Sequence, residues 1–270
     1  MIDNKSIIPE INPEESFKAI SNFIKDLLFE SKSEGLVIGL SGGIDSSLVA
    51  YISSSSINKD KILGLIMPSE TTTSEDVEDA LLVASNLGIE KKVINIDSFI
   101  NEFNQLNVEP GSEDVQKLAK ANLKARIRMI VLYYHANLMN RLVLGTGNKS
   151  ELYVGYFTKY GDGGVDLLPI ADLYKTDVIE VAKHLGIPDK IINKPPSAGL
   201  WQGQTDEDEM GITYELLDQI LYLMVDKKLE PLQIAEKLKI NENEVLRIKS
   251  MMEAAEHKLV PPPIPGIRRT

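Results

Sequence analysis

Four short apolar runs recur along the 270-residue chain, and stretches of helical spacing lie between them. The runs are Leu36 to Leu40 (LVIGL), Ile62 to Met67 (ILGLIM), Lys92 to Ile96 (KVINI) and Arg141 to Gly145 (RLVLG). Runs of this length with little polar alternation are expected of strands covered on both faces. Helices are expected from near Ser46, from Ser74 as a cap through Leu87 to Gly88, and from about Ser112 to Met139. Strand and helix alternate, which predicts an α/β fold: a doubly wound parallel sheet with helices on both faces. Ahead of the first strand, Asn12-Pro13-Glu14-Glu15 reads as a helix start, with a capping Asn, Pro at the first position and acids in the first turn.

This α/β layer is expected to occupy residues 1 to about 190. Leu185-Gly186-Ile187-Pro188 reads as a helix stop, and a linker over about 191–212 follows. Its central part, Asn193 to Gly211, holds two prolines, three glycines, the only tryptophan (Trp201) and the acidic run Asp206 to Glu209. A connection of that length in a compact domain is expected to be a functional lid. Residues 213–270 are expected to form a C-terminal helical extension that ends in the extended tail PPPIPGIRRT, so that 1–270 make one domain.

Composition narrows the function. The chain has no cysteine, which excludes disulfides, thiolate zinc sites and cysteine nucleophiles. A net charge of −11 disfavours binding of nucleic acid or an anionic membrane surface through the overall field, although a local positive pocket for a phosphorylated small molecule is compatible with it. The N-terminal stretch MIDNKSIIPEINPEESF has no apolar segment of the signal-peptide kind, and no window approaches a membrane span, so a soluble, cytoplasmic protein is expected.

The segment richest in chemistry is Gly39-Leu40-Ser41-Gly42-Gly43-Ile44-Asp45-Ser46-Ser47, directly between a strand and a helix. Glycines there let the backbone aim amides at an anion, and the following helix start attracts the same charge. Ser41, Ser46 and Ser47 add hydroxyls, and Asp45 is suited to a phosphate-bound magnesium ion. The lysine of a Walker loop is absent, so the loop suits a pyrophosphate leaving group.

SGGIDSS resembles the signature of the PP-loop ATP pyrophosphatases. Two further blocks are similar to the ammonia-dependent NAD synthetases: Leu144 to Glu151 (LGTGNKSE) and Gly155 to Pro169 (GYFTKYGDGGVDLLP), with Lys124 to Met129 upstream. The resemblance runs from about Pro13 to Lys258. It implies amidation of nicotinic acid adenine dinucleotide (deamido-NAD) with ammonia, ATP as co-substrate, magnesium as metal, and a homodimer whose contact is the long helix from Ser112.

Residue by residue, the resemblance implies ATP contacts at Gly39, Leu40, Ser41, Gly42, Gly43, Ile44, Asp45, Ser46, Thr146, Lys175 and Ser197, the last standing where the family more often has threonine. It implies magnesium ligands at Asp45 and Glu151, and dinucleotide contacts at Arg126, Lys159, Asp166, His257 and Lys258. Asp162 is read as the acid that orients ammonia or takes its proton, and Lys175 as a catalytic cation. Of the other two histidines, His135 and His184 fall inside helical segments and are expected to be packed or solvated.

Two other readings stand beside this one. Pro231 to Val245 has the texture of a helix-turn-helix, which would suit a nucleotide-sensing regulator, but Leu229 to Lys258 carries five Lys/Arg against six Asp/Glu where a DNA reader needs a basic face. Another PP-loop ligase, of the GMP synthetase or tRNA-modifying kind, shares the loop. Only about 35 residues precede the first strand, too few for a glutaminase domain, so free ammonia is the expected nitrogen source.

Overall fold

The computed structural model describes residues 7–106, 111–199, 201 and 203–267. The expected residues at the extreme N-terminus (1–6), two positions of the linker (200 and 202) and the last three of the basic tail (268–270) lie outside the described residues.

The chain opens with α1 (Pro13–Ser31), whose first amides at Glu14 and Glu15 donate to the Asn12 side chain as the sequence suggests. Then come β1 (Gly35–Gly39), α2 (Ile44–Ser56), β2 (Ile62–Ile66), α3 (Ser74–Leu87), β3 (Glu90–Val93), α4 (Asp97–Asn104), α5 (Glu113–Leu138) and β4 (Arg141–Leu144). The four strands are all parallel in the order β3-β2-β1-β4. The chain therefore winds outward from β1 through β2 to β3 and returns to place β4 on the other side of β1. The crevice beyond the carboxyl ends of β1 and β4 is a topological switch point, where open α/β sheets bind ligands.

Period-two alternation distributes the strand side chains between two cores. Leu36, Ile38, Ile62, Ile66 and Leu144 join α1, α2, α3 and α7 (Lys175–His184) on one face. Val37, Leu63, Leu65 and Val143 join Ile127, Val131 and Leu132 of α5 on the other. Each such side chain, fully buried, contributes about 2 kcal/mol, so the sheet is fixed by both layers.

The third strand departs from expectation. KVINI was expected to supply a buried strand over Lys92 to Ile96, but β3 covers Glu90–Val93 and all four of its residues are exposed. It is one of the two edge strands, and charged edges deter further pairing. The apolar half of the run bends inward: Ile94 and Ile96 still donate to Ile66 and Pro68 carbonyls, while Ile96 is buried above α4. A smaller shift occurs at α3, whose cap is Thr73 and not Ser74, because Thr73 and Asp76 close a reciprocal capping box.

Beyond β4 lie α6 (Lys149–Val154), α7, α8 (Asp189–Ile192), α9 (Asp206–Met210), α10 (Tyr214–Leu221), α11 (Pro231–Leu238) and α12 (Glu242–Leu259). The linker over Asn193 to Gly211 is thus not all loop; Thr205 caps α9 within it. The helix-turn-helix texture is explained by packing. Ile234, Ala235, Val245 and Ile248 are buried against Tyr214, Leu217 and Ile220, and α12 lies along α6. His135 bonds the Val131 carbonyl in its own helix and His184 reaches Glu14 at the surface, so neither joins a site. No helix among the described residues is long and apolar enough to cross a membrane.

Candidate active site

A cavity of about 670 Å³ opens at the switch point and is lined from all three parts of the chain. The loop after β1 forms one wall. Leu40 donates to the Leu65 carbonyl, which holds the loop's start in register with β2. The Ser41 and Ser46 hydroxyls lie 3.1 Å apart, Ser46 Oγ donates to the Gly43 carbonyl, and Gly43 donates to Ser41 Oγ. The loop is therefore braced by its own serines. Gly43 lends no side-chain acceptor to the first amides of α2, and the start of that helix lines the cavity, an arrangement that attracts anions. Ser47 plays no part in the wall; its hydroxyl donates to Gly43 at 2.7 Å and closes the first turn of α2.

Asp45, in that first turn, meets two residues from the far side of the crevice. Lys175 Nζ is 2.5 Å from Asp45 Oδ2 and 3.5 Å from Glu151 Oε1. Asn148 ties the group together: its side-chain oxygen caps the Glu151 amide at 3.0 Å, the Glu151 carboxylate accepts from the Asn148 amide, and Asn148 Nδ2 donates to Asp45 Oδ1 at 2.9 Å. Asn148 was not singled out from the sequence, although Asn-x-x-Glu ahead of a helix is a legible capping box.

Lys175 is only 2% exposed. Burial opposes its charge, but Asp45 and Glu151 outweigh that and hold its pKa above the ordinary lysine range. Burial, and then the Asp45 charge, push Glu151 up to about 8, against the pull of Lys175 and the Asn148 amide. Two carboxyl groups thus share one ammonium, and the group gains a negative excess only when Glu151 releases its proton, which a bound divalent cation favours. Among the described residues no cluster of three or more His, Cys, Asp or Glu gathers to hold a metal. A magnesium ion fits this donor set if the two hard carboxylate oxygens are completed by water and phosphate oxygens, the usual division of its ligands.

A second group lines the other end. Arg126 Nε donates to the Lys159 carbonyl at 3.3 Å, Lys159 Nζ donates to the His257 carbonyl, and Lys258 Nζ donates to the carbonyls of Gly155 and Phe157 at 2.7 and 3.0 Å. The end of α12 and the loop after α6 are clasped by reciprocal lysine contacts. Asn122, four residues before Arg126 on α5, accepts from the Thr158 hydroxyl at 2.7 Å. Asp162, also on the cavity wall, accepts from the Thr158 amide at 3.0 Å. The residue is exposed on that wall, and the protein packed around its carboxylate raises its pKa against the pull of the Thr158 amide and of the Lys258 and Arg128 charges.

Gly39, Leu40, Ser41, Gly43, Ile44, Asp45, Ser46, Arg126, Thr146, Glu151, Lys159, Asp162, Lys175, Ser197, His257 and Lys258 all line this one cavity. Gly42 and Asp166 do not. Gly42 lies behind the loop against α3. Asp166 sits at the sheet edge beyond β4, where it accepts from the Val143 amide at 2.7 Å and the Tyr133 hydroxyl at 2.9 Å. In the single chain it is a brace for that edge.

Several lining residues were not anticipated. Arg128 lines the cavity, donates to the Met67 carbonyl and lies near enough to Asp162 for their charges to interact. Asp206, one of the acidic run Asp206 to Glu209, is 4% exposed; it accepts from the Ala198 amide and from the Tyr214 hydroxyl. Nothing in a run of four acids marks one of them as buried.

A family model described as NAD synthase matches residues 16–262. The chain is 50% identical over 237 residues to an NH(3)-dependent NAD(+) synthetase of Thermococcus sibiricus, covering 88% of this chain and 91% of that one. It is 49% identical over 259 residues to the enzyme of the same description from Archaeoglobus fulgidus, covering 96% and 99%. Among solved structures it superposes on an NMN synthetase from Francisella tularensis with a TM-score of 0.84 at 36% identity, covering 96% of this chain and all of the other. An NH3-dependent NAD synthetase from Campylobacter jejuni superposes with a TM-score of 0.78 at 30% identity, covering 94% and 99%.

Proposed function

The chain belongs to the NAD synthase family, and we propose that its cavity carries out the ammonia-dependent form of that reaction: ATP and deamido-NAD are joined, pyrophosphate leaves, and ammonia displaces AMP to give NAD. The observation that carries this reading is the meeting of Asp45, Glu151 and Lys175 at the mouth of the Gly-Ser loop, in one cavity with Arg126, Lys159, His257 and Lys258.

The chemistry requires such a site. A carboxylate resists attack because it is already anionic and has no leaving group. Its oxygen attacks the α-phosphorus of ATP, the bond to pyrophosphate breaks, and an acyl adenylate results. The loop amides and the Ser41 and Ser46 hydroxyls receive the departing pyrophosphate. Lys175 offsets charge that grows at the α-phosphate, in a buried place where such a contact is worth more than in water. Thr146 and Ser197 contact the nucleotide, and Asp45 and Glu151 hold magnesium, which supplies further charge neutralisation when bound. Arg126 offers a planar fork suited to the dinucleotide's pyrophosphate, with Lys159, His257 and Lys258 beside it. Ammonia then attacks the acyl carbon, and the raised pKa of Asp162 suits it to accept the proton lost from nitrogen.

Purified protein supplied with deamido-NAD, ATP, magnesium and ammonium should form NAD, read as NADH after coupling to alcohol dehydrogenase; glutamine in place of ammonium should support little. Because one structural neighbour is described as an NMN synthetase, a parallel arm offers nicotinic acid mononucleotide. Faster amidation of the mononucleotide would reassign the substrate, and pyrophosphate release without either amide would leave only the adenylation step standing.

The linker from Asn193 to Gly211 is proposed as a lid. Of its described residues, Pro195, Ser197, Gly199 and Trp201 are among those that line the cavity, Thr71 donates to the Gly199 carbonyl at 3.0 Å, and Lys117 lies 3.9 Å from the centre of the Trp201 ring. ATP should slow proteolysis within it; equal cleavage rates with and without ATP would reject the assignment.

A homodimer built on α5, in the cytoplasm, completes the reading. Ile130, Tyr134 and Leu138 form an i, i+4, i+8 stripe that is 63–68% exposed, and Phe99 and Phe103 of α4, which packs on α5, are exposed as well. Large apolar side chains exposed along one helix face in this way support an interface. Light scattering should give twice the 30.0 kDa chain mass for the wild type and the single mass for an Ile130→Glu, Tyr134→Glu variant. A monomeric wild type would refute the interface.

A further inference from the structure

The C-terminal helices reach the site through one carboxylate. Asp218 of α10 is wholly buried, as is Ser150 at the second position of α6. Asp218 Oδ1 accepts from the Ser150 hydroxyl at 2.5 Å, and its Oδ2 accepts from the Thr176 amide at 2.9 Å. Ser150 Oγ in turn accepts from the Lys175 amide at 3.0 Å. The first two amides of α7 are thus capped from outside their own helix, by α6 and α10 together. A helix start left without acceptors in a buried place would be costly, so this link determines where α7 begins relative to α6.

The two helix starts carry the polar centre. Glu151 follows Ser150 directly, and Lys175 is itself the residue whose amide Ser150 holds. The 3.5 Å separation of Lys175 Nζ from Glu151, and its contact with Asp45, depend on the spacing of these two backbones. Side chains that act on a reacting phosphate lose much of their effect when displaced by about 1 Å.

We propose that Asp218, acting through Ser150, is a positioning residue for adenylation: it sets Lys175 against Asp45 and Glu151, and so makes the C-terminal helical layer part of the ATP site. This rests on the reading of Lys175 as an ATP contact.

The test compares Ser150→Ala, Asp218→Asn and the double variant with the wild type, at a temperature well below each variant's Tm. Ser150→Ala removes only the bridge, while Asn at 218 can accept one of the two donors and not both. Ser150→Ala should raise KM for ATP about tenfold and lower kcat about tenfold or more, with KM for deamido-NAD changed less than about twofold. Ser150→Thr, which keeps the hydroxyl, should restore ATP KM toward the wild type. The double variant should be no worse than the poorer single one, because both changes cut one link.

The proposal is overturned if folded Ser150→Ala and Asp218→Asn lose Tm but keep ATP KM and kcat within about twofold. Equal rises in both KM values, or additive losses in the double variant, would also overturn it, since either indicates general loosening. Calorimetric ATP affinity is measured alongside. If the wild type makes no NAD yet binds ATP, the reaction assigned above fails, while a tenfold weaker ATP affinity in Ser150→Ala still supports the positioning role.

Discussion

Replacing Lys175 with methionine should lower kcat by about 10²–10³-fold and weaken ATP binding, while leaving a folded protein. The side chain is buried, and its ammonium lies between Asp45 and Glu151. Methionine fills similar volume without the charge. It leaves two carboxylates facing one another with Asp206 nearby, and like charges in a buried place favour protonation of one of them. Losing the Lys175 charge raises the Glu151 pKa beyond its already raised value, so a cation must displace a more tightly held proton and the variant should need more magnesium.

The sign of the pH dependence follows from Glu151. Its folded pKa, about 8, lies above the ordinary carboxylate value of 4.5. The folded state therefore binds the proton more tightly than the unfolded chain. Stability from this group is complete below about pH 4.5 and is lost as pH rises through about 8. Without Lys175 the window should widen upward, and the ligand-free variant's Tm should fall more steeply than the wild type's between about pH 6 and pH 9. A variant with kcat within tenfold of wild type would remove Lys175 from the chemistry. A parallel pH dependence of Tm would remove its electrostatic coupling to Glu151.

How much of this was legible without coordinates depends on distance along the chain. The strands β1 and β2 and the second half of β4 are readable because their side chains are buried, and continuous apolar runs follow from that. The edge strand β3 misleads for the same reason, since its residues are exposed and the apolar ones lie just beyond it. The Gly-Ser loop is local and announces itself. Lys175 is 130 residues from Asp45, and only the resemblance to a known family brought the two together. Asp206 and Asp218 carry no signal at all. Each lies within an element with acidic neighbours or helical spacing, and its burial is decided by where distant helices pack. Asp166 is a different case: its motif implies a substrate contact, and in the single chain its carboxylate accepts from the Val143 amide and the Tyr133 hydroxyl.

Two adjacent glycines in the loop should fail in opposite ways when changed to alanine. Gly42 has φ +81°, and a Cβ there would lie 2.3 Å from the Asp76 carbonyl oxygen and 3.1 Å from its carbon. Both are α3 backbone, which cannot rotate aside as a side chain would. The left-handed conformation costs an alanine about 1–2 kcal/mol, and forcing α3 away from the loop adds about 1–3 kcal/mol. Gly42→Ala should therefore lower Tm by roughly 5–10 °C and carry ATP binding down with it, because the loop and α3 move together. Gly43 has φ −87° and ψ 166°, extended backbone open to any residue, and a Cβ there meets only Ser41 Oγ at 3.3 Å. Gly43→Ala should fold with nearly unchanged Tm but place a methyl on the cavity wall where the phosphates approach, so ATP affinity should fall without loss of stability. Thermal melts with and without ATP separate the two. If Gly42→Ala melts within about 1 °C of the wild type, the close approach of α3 to the loop is wrong. If Gly43→Ala binds ATP as the wild type does, the amides of the α2 start are not where the triphosphate lies.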